Sequence, residues 1–204
     1  MKKQKKILVA ALSLVLVALC AVGGTLAWLT DKTDTVTNTF TVGKVDITLY
    51  ESKWDGTNLN NAQSTTSNSY KMVPGTTYGK DPTITVDKDS EDCWVFVKIE
   101  EENNEAADAI KFYNYAIDTQ WHALDAEKYP GVYVINEPVQ DHTADKSINV
   151  LQNKQVTVSG DVTTGMLEKA ETNAPTLKFT AYAVQLKNGN TTFSQKDAWD
   201  IVKP

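Results

Sequence analysis

The hydrophobic pattern of the chain changes character near residue 23. Before that point it is a basic cluster, Lys2, Lys3, Lys5 and Lys6, followed by an uncharged apolar run from Ile7 to Val22. Beyond it, apolar residues come in short runs that alternate with polar ones. Val45, Ile47 and Leu49 alternate with Asp46 and Thr48, which is the period of a half-buried strand. The same reading predicts strands at Thr83–Val86, Ile110–Ile117, Trp121–Leu124, Gly131–Asn136, Ser147–Leu151, Gln155–Ser159 and Leu177–Gln185. Cys93–Ile99 is apolar on both faces, with Cys93, Val95, Val97 and Ile99 opposite Trp94 and Phe96, and is predicted to be a central strand. Residues 52–70, rich in Ser, Thr, Asn and Gly, read as a loop, and so do residues 100–109 unless they hold one short helix. Pro74-Gly75 marks a turn, and Asp87–Asp92 an acidic one. Helical signals are few: a turn around Met166-Leu167, and Ser194-x-x-Asp197 as the N-cap of a last short helix through Ile201. Many short strands without a βαβ rhythm predict a mainly β fold, an antiparallel β-sandwich or jelly roll with one or two short helices.

The start of the chain has the form of a secretory signal: a basic opening, a short apolar core, then the small residues Thr25 and Ala27 that would direct cleavage after Ala27, before Trp28. The lysines would stay on the cytoplasmic side. This divides the chain into residues 1–27 (signal peptide), 28–42 (an extended segment) and 43–204 (the β domain). An uncleaved anchor is the alternative, because the uncharged run continues to Leu29 and at about 1.5 Å per residue would span a bilayer. Against it, Gly23-Gly24 interrupts the helix where a cleavage region is extended. The four lysines leave with the signal, which takes the formal net charge from −6 to −10, and every basic residue in the chain is Lys. An acidic chain without Arg is a poor partner for nucleic acid. Cys20 would leave with the signal; as a lipid-attachment site it would need a small residue where Leu19 stands. Cys93 is then the single thiol, beside Glu91 and Asp92, and reads as a packed strand residue rather than a nucleophile.

The segment from Gly23 to Leu49 carries a more specific signal. Gly23, Gly24, Thr25, Ala27, Asp31, Lys32, Asn38, Thr39, Phe40, Gly43, Asp46, Ile47 and Leu49 fall on the junction-and-first-strand pattern of the camelysin/TasA family, which this stretch resembles. Leu29 stands where that family usually has a Phe, with Trp28 just before it. The C-terminal run Phe179–Gln185, followed by Asp197-Ala198-Trp199, resembles the closing strand and short helix of clostridial members. The resemblance implies a secreted Gram-positive surface or biofilm-matrix protein whose signal is cut by a dedicated signal peptidase. It also implies fibre assembly: the freed N-terminal segment inserts as a strand into the sheet of the next subunit, so the partner is a second copy or a related matrix protein, and the membrane is met only through the signal. Residues 28–42 suit a donor strand, with Trp28, Leu29, Val36 and Phe40 as apolar anchors and Asp31, Lys32 and Asp34 outward. The alternative is a disordered linker ahead of a monomeric domain.

The camelysin branch implies a metallopeptidase as the runner-up. A zinc hydrolase needs about three protein ligands and a base, often as His-Glu-x-x-His. Here the two histidines, His122 and His142, lack helical spacing, and each reads as solvated; a site of His122, His142 and Asp141 or Asp125 can be drawn but has no metal signature. Asp87, Asp89 and Glu91 offer oxygens for Ca²⁺ without the ordered series and Gly of a calcium loop. Glu100, Glu101 and Glu102 read as solvated. There is no nucleophile elbow or phosphate loop, and the residues imply no catalytic group, cofactor or metal. A surface module binding ligand through exposed Tyr113, Tyr115 and Trp121 is a third class, although strand aromatics so spaced usually form the core or cross-strand pairs.

Overall fold

The computed structural model describes residues 43–105 and 110–204; the expected signal peptide, the expected cleavage residues Thr25, Ala27 and Trp28, and the expected anchors Trp28, Leu29, Val36 and Phe40 lie outside the described residues. The described part is mainly β and its ladders are antiparallel. In chain order the strands are β1 Ile47–Trp54, β2 Leu59–Thr65, β3 Thr77–Gly79, β4 Thr83–Val86, β5 Cys93–Glu102, β6 Tyr113–Asn114, β7 Trp121–Ala123, β8 Val132–Ile135, β9 Lys146–Asn149, β10 Gln155–Val158, β11 Thr176–Gln185, β12 Lys187–Asn188 and β13 Thr191–Thr192. Helices α1 Thr164–Thr172 and α2 Gln195–Val202 flank β11 and its hairpin.

Two four-stranded sheets, β2-β1-β4-β9 and β11-β5-β8-β7, contribute to one hydrophobic cluster. Ile84, Val86 and Ile148 enter it from the first sheet, and Val95, Val97, Ile99 and Ile135 from the second. Central β5 is apolar on both faces because each is covered. Cys93, Val95, Val97 and Ile99 face the shared cluster, while Phe96 packs with Val132, Val134, Val184, Ala198 and Trp199 under α2. A smaller sheet, β3-β10-β6, forms its own cluster with Met166 of α1.

The expected last helix forms where its cap was read. The Asp197 N–H donates to Ser194 Oγ at 3.2 Å, and the Ser194 hydroxyl donates to Asp197 Oδ2 at 2.6 Å. Without a cap the first turn keeps unpaired N–H groups. Ser194→Ala should therefore cost about 1 kcal/mol, readable as a shift of the urea midpoint at unchanged slope.

Several expectations need correction. Residues 52–70 are not one loop: 52–54 complete β1 and 59–65 form β2, with Thr65 opposite Glu51 and Leu59 opposite Trp54, which leaves 55–58 and 66–70 outside the strands. An edge ribbon is held by its backbone, so its side chains need show no apolar period. Its turn is set by Asp55, whose carboxylate accepts the N–H groups of Thr57 and Asn58, each at 2.8 Å; those bonds hold the acid below the usual carboxylate range. Glu100–Glu102 are not a loop either but the end of β5, opposite Lys178, Leu177 and Thr176. Lys98–Glu100 (2.9 Å), Lys111–Glu101 (3.1 Å) and Lys178–Glu102 (2.6 Å) let the ladder carry this acidic run. The predicted strand Ile110–Ile117 shrinks to Tyr113–Asn114, because the buried Asn104 side chain takes both backbone groups of Tyr113 in place of a neighbouring strand. Strand β3 and the β12–β13 hairpin were not foreseen; the Asn188-Gly189 pair, with Gly189 at φ 58°, was the available signal for the hairpin.

Candidate functional site

Among the described residues one side of the fold is left without a pairing strand. Along β11 the register places Leu186 opposite Asp92, and the Leu186 N–H donates to the Asp92 carbonyl at 2.6 Å. In an antiparallel ladder the bonded positions recur every second residue. Lys178, Thr180, Tyr182 and Val184 therefore bond β5, while Leu177, Phe179, Ala181, Ala183 and Gln185 turn their N–H and C=O groups outward. β11 ends its sheet, and among the described residues none of these outward groups has a hydrogen-bond partner. The same argument applies to β1: the Asp87 N–H donates to the Asp46 carbonyl at 3.0 Å, so Ile47 and Leu49 point away from β4, ahead of the point where β2 joins at Glu51.

The side chains carry the same message. Val95, Val97 and Ile84 in the central strands are 0% exposed. Around them Val45, Ile47 and Leu49, with Leu177, Phe179, Ala181 and Ala183, pack against the same cluster but are only half-buried. β1 and β11 approach within 8 Å between Cα atoms yet form no ladder, for which about 4.7–4.9 Å is needed. A long edge strand with free backbone groups and a half-covered apolar row is a template for another strand.

The chemical candidates resolve differently. His122 stands exposed on β7, as read, with Nδ1 2.8 Å from Asn136 Oδ1 and Nε2 3.1 Å from Gln195 Oε1. His142 is not solvated: its side chain is 18% exposed, and Nε2 lies 3.3 Å from Asp92 Oδ1, close enough for an ion pair though without hydrogen-bond geometry. The loop around it folds back over Asp92, which also accepts from Gln140 Nε2. Among the described residues no three His, Cys, Asp or Glu side chains converge on a metal position. The acidic turn uses its oxygens internally, Asp87 Oδ1 accepting from the Asp89 N–H at 2.8 Å. Cys93 is fully buried, and burial, helped by Asp92, pushes its thiol up to about 11, which leaves it a packing residue.

Tyr113, Tyr115 and Trp121 do not form an exposed ligand platform. Tyr113 and Trp121 are buried, Trp121 Nε1 donates to the Asn149 carbonyl at 2.8 Å, and Tyr115 is half-covered with its hydroxyl on Glu101. Burial raises the Tyr113 and Tyr115 hydroxyls above the ordinary tyrosine range. No helix of the described residues is long and apolar enough to cross a membrane. No family model matches the chain, and neither a curated protein nor a solved structure matches it.

Proposed function

We propose that this chain is a secreted structural protein of the extracellular matrix or cell surface, a β-sandwich of jelly-roll type that assembles into fibres by strand addition. Cleavage after Ala27 by a signal peptidase frees residues 28–42, which pair with the outer edge of β11 in the next subunit. The observation that carries this reading is the outward row Leu177, Phe179, Ala181 and Ala183, unpaired in its backbone among the described residues and half-covered in its side chains. The resemblance of residues 23–49 to the camelysin/TasA pattern supports it, and so does the donor composition. In extended backbone Val36, Phe40 and Val42 share one face, and Thr37, Thr39 and Thr41 the other. Main-chain bonds would supply affinity, and the apolar face, with Trp28 and Leu29 further along, would supply register. A contact in which each subunit gives a strand and receives a different one is head-to-tail, and propagates as a filament where its rotation does not close a ring. Signal cleavage is the switch, because a tethered segment cannot reach another subunit.

The experiment compares protein beginning at Trp28 with protein beginning at Phe40, by electron microscopy and size-exclusion chromatography. Filaments or large oligomers are expected from the longer form alone. Two monodisperse monomers, or equal assembly of both, would refute the proposal.

A further inference from the structure

A second cluster lies beside the outward row of β11, touching the Phe179 ring, and uses none of the outward backbone groups that strand addition would pair. Glu51 at the middle of β1 and Lys80 after β3 are both buried, 8% and 7% exposed, with Lys80 Nζ 2.8 Å from Glu51 Oε1. The other oxygen of the same carboxylate, Oε2, accepts from Asn68 Nδ2 at 3.0 Å. The orientation of the Asn68 amide is fixed from both ends: Nδ2 also donates to the Ser52 carbonyl at 2.9 Å, and Oδ1 accepts from the Trp54 N–H at 2.8 Å. Aromatic rings close the surroundings. Lys80 Nζ lies 5.6 Å from the Tyr70 ring centroid and 5.3 Å from that of Phe179, and Trp54, Tyr70 and Tyr78 pack on one another.

A buried ion pair is weak evidence of stabilisation, since desolvating two charges offsets much of their attraction. This arrangement does something a plain ion pair does not. It sets an amine and a carboxamide on the two oxygens of one carboxylate, with Glu51 and Lys80 buried and Asn68 half-buried, and with a backbone N–H on the amide oxygen. Those are the parts of an amide-exchange reaction: a nucleophile, an acyl group, a base able to move a proton between them, and a donor for the oxyanion.

We propose that Lys80 and Asn68 form an intramolecular isopeptide bond, with Glu51 as the proton carrier. Glu51 takes a proton from the Lys80 ammonium, and the freed Nζ attacks Asn68 Cγ. The carbonyl electrons move onto Oδ1, where the Trp54 N–H holds the developing charge. Glu51 delivers its proton to Nδ2; the Cγ–Nδ2 bond breaks, the Nζ–Cγ bond remains, and Nδ2 departs as ammonia, carrying off the remaining proton of the tetrahedral nitrogen as ammonium. No oxidant, nucleotide or other reactant is needed. The Tyr70 and Phe179 rings shield the Lys80 amine from water. The product fastens the segment that follows β2 to the strand entering β4, and it forms whether or not the subunits polymerise.

The test is mass spectrometry of the mature protein recovered after export. Once its N-terminus is read by sequencing, the intact protein should be lighter by one ammonia than the sequence mass calculated from that residue to Pro204. After trypsin, which cuts at Lys71 between the two residues, the peptides bearing Asn68 and Lys80 should remain joined, and cleavage at Lys80 should be lost. A succinimide at Asn188-Gly189 would give the same deficit, so the joined peptide decides. Glu51→Gln should fold with a cooperative transition and show the full sequence mass. Should that variant fail to fold, the wild-type peptide map decides alone. A folded wild-type protein at full sequence mass, or a deficit that maps to Asn188-Gly189, overturns the proposal. A linked Glu51→Gln protein overturns the role of Glu51.

Discussion

Ala181→Pro should leave a folded, exported subunit that no longer forms filaments, while Thr180→Pro, one residue earlier, should damage the fold itself. The difference that decides the outcome is which way the backbone faces. Thr180 lies opposite Lys98 at a bonded position of the β11–β5 ladder, so proline there removes a donor and leaves a strand carbonyl unpaired, a loss of about 1–3 kcal/mol. The Ala181 N–H points outward, where proline is tolerated on an edge strand. Its ring replaces a half-covered methyl group at the rim of the cluster rather than in its centre. What Ala181→Pro loses is a bond that only an added strand can make. Sedimentation of the purified variants checks the first half and thermal unfolding the second. Filaments from Ala181→Pro at wild-type yield would remove β11 as the acceptor.

Trp199→Ala should be the most destabilising single change in α2. Trp199 is 2% exposed and sits among Phe96, Tyr129 and Tyr182, with ring centroids 5.4, 6.2 and 5.2 Å away. It is the residue through which α2 covers the second face of β5. Removing a buried indole costs about 3–5 kcal/mol, since the cavity does not fully collapse. For a domain of this size that lowers Tm by roughly 10 °C. Differential scanning calorimetry reads it directly, and a shift of only a degree or two would mean that α2 is not essential to the second face. The indole Nε1 is buried without a hydrogen-bond partner, so its contribution is packing rather than polar.

The parts of the fold legible in the sequence were those where burial imposes a period. Cys93–Ile99, Leu177–Gln185 and the Ser194 cap all announce themselves, because a central strand must be apolar where it is covered and a helix must satisfy its first N–H groups. The β1–β2 ribbon did not, because polar edge strands are held by main-chain bonds that leave no trace in side-chain character. The extent of the strand predicted at Ile110–Ile117 was misjudged because, on the side of Tyr113 away from β10, the backbone partner is a single side chain, Asn104, and no periodicity reveals that. The proposed acceptor row was half legible: the alternation of Leu177, Phe179, Ala181 and Ala183 is plain, but that β11 ends its sheet among the described residues is a fact of topology. The Glu51–Lys80–Asn68 cluster was hidden altogether. Its members are separated in sequence, and two of them fall within the stretch read as a loop or at its border.

Hydrogen exchange is the most direct test of strand addition at this edge. Protein beginning at Phe40 would be mixed with a peptide of residues 28–42, and exchange followed residue by residue along β11. The amides of Leu177, Phe179, Ala181 and Ala183, which face outward, should gain protection when the peptide is added. Those of Lys178, Thr180 and Tyr182, already bonded to β5, should change little and serve as the internal control. Protection that alternates in this way would place the donor on the edge of β11. Unchanged exchange at the outward amides, with peptide in saturating excess, would contradict the account.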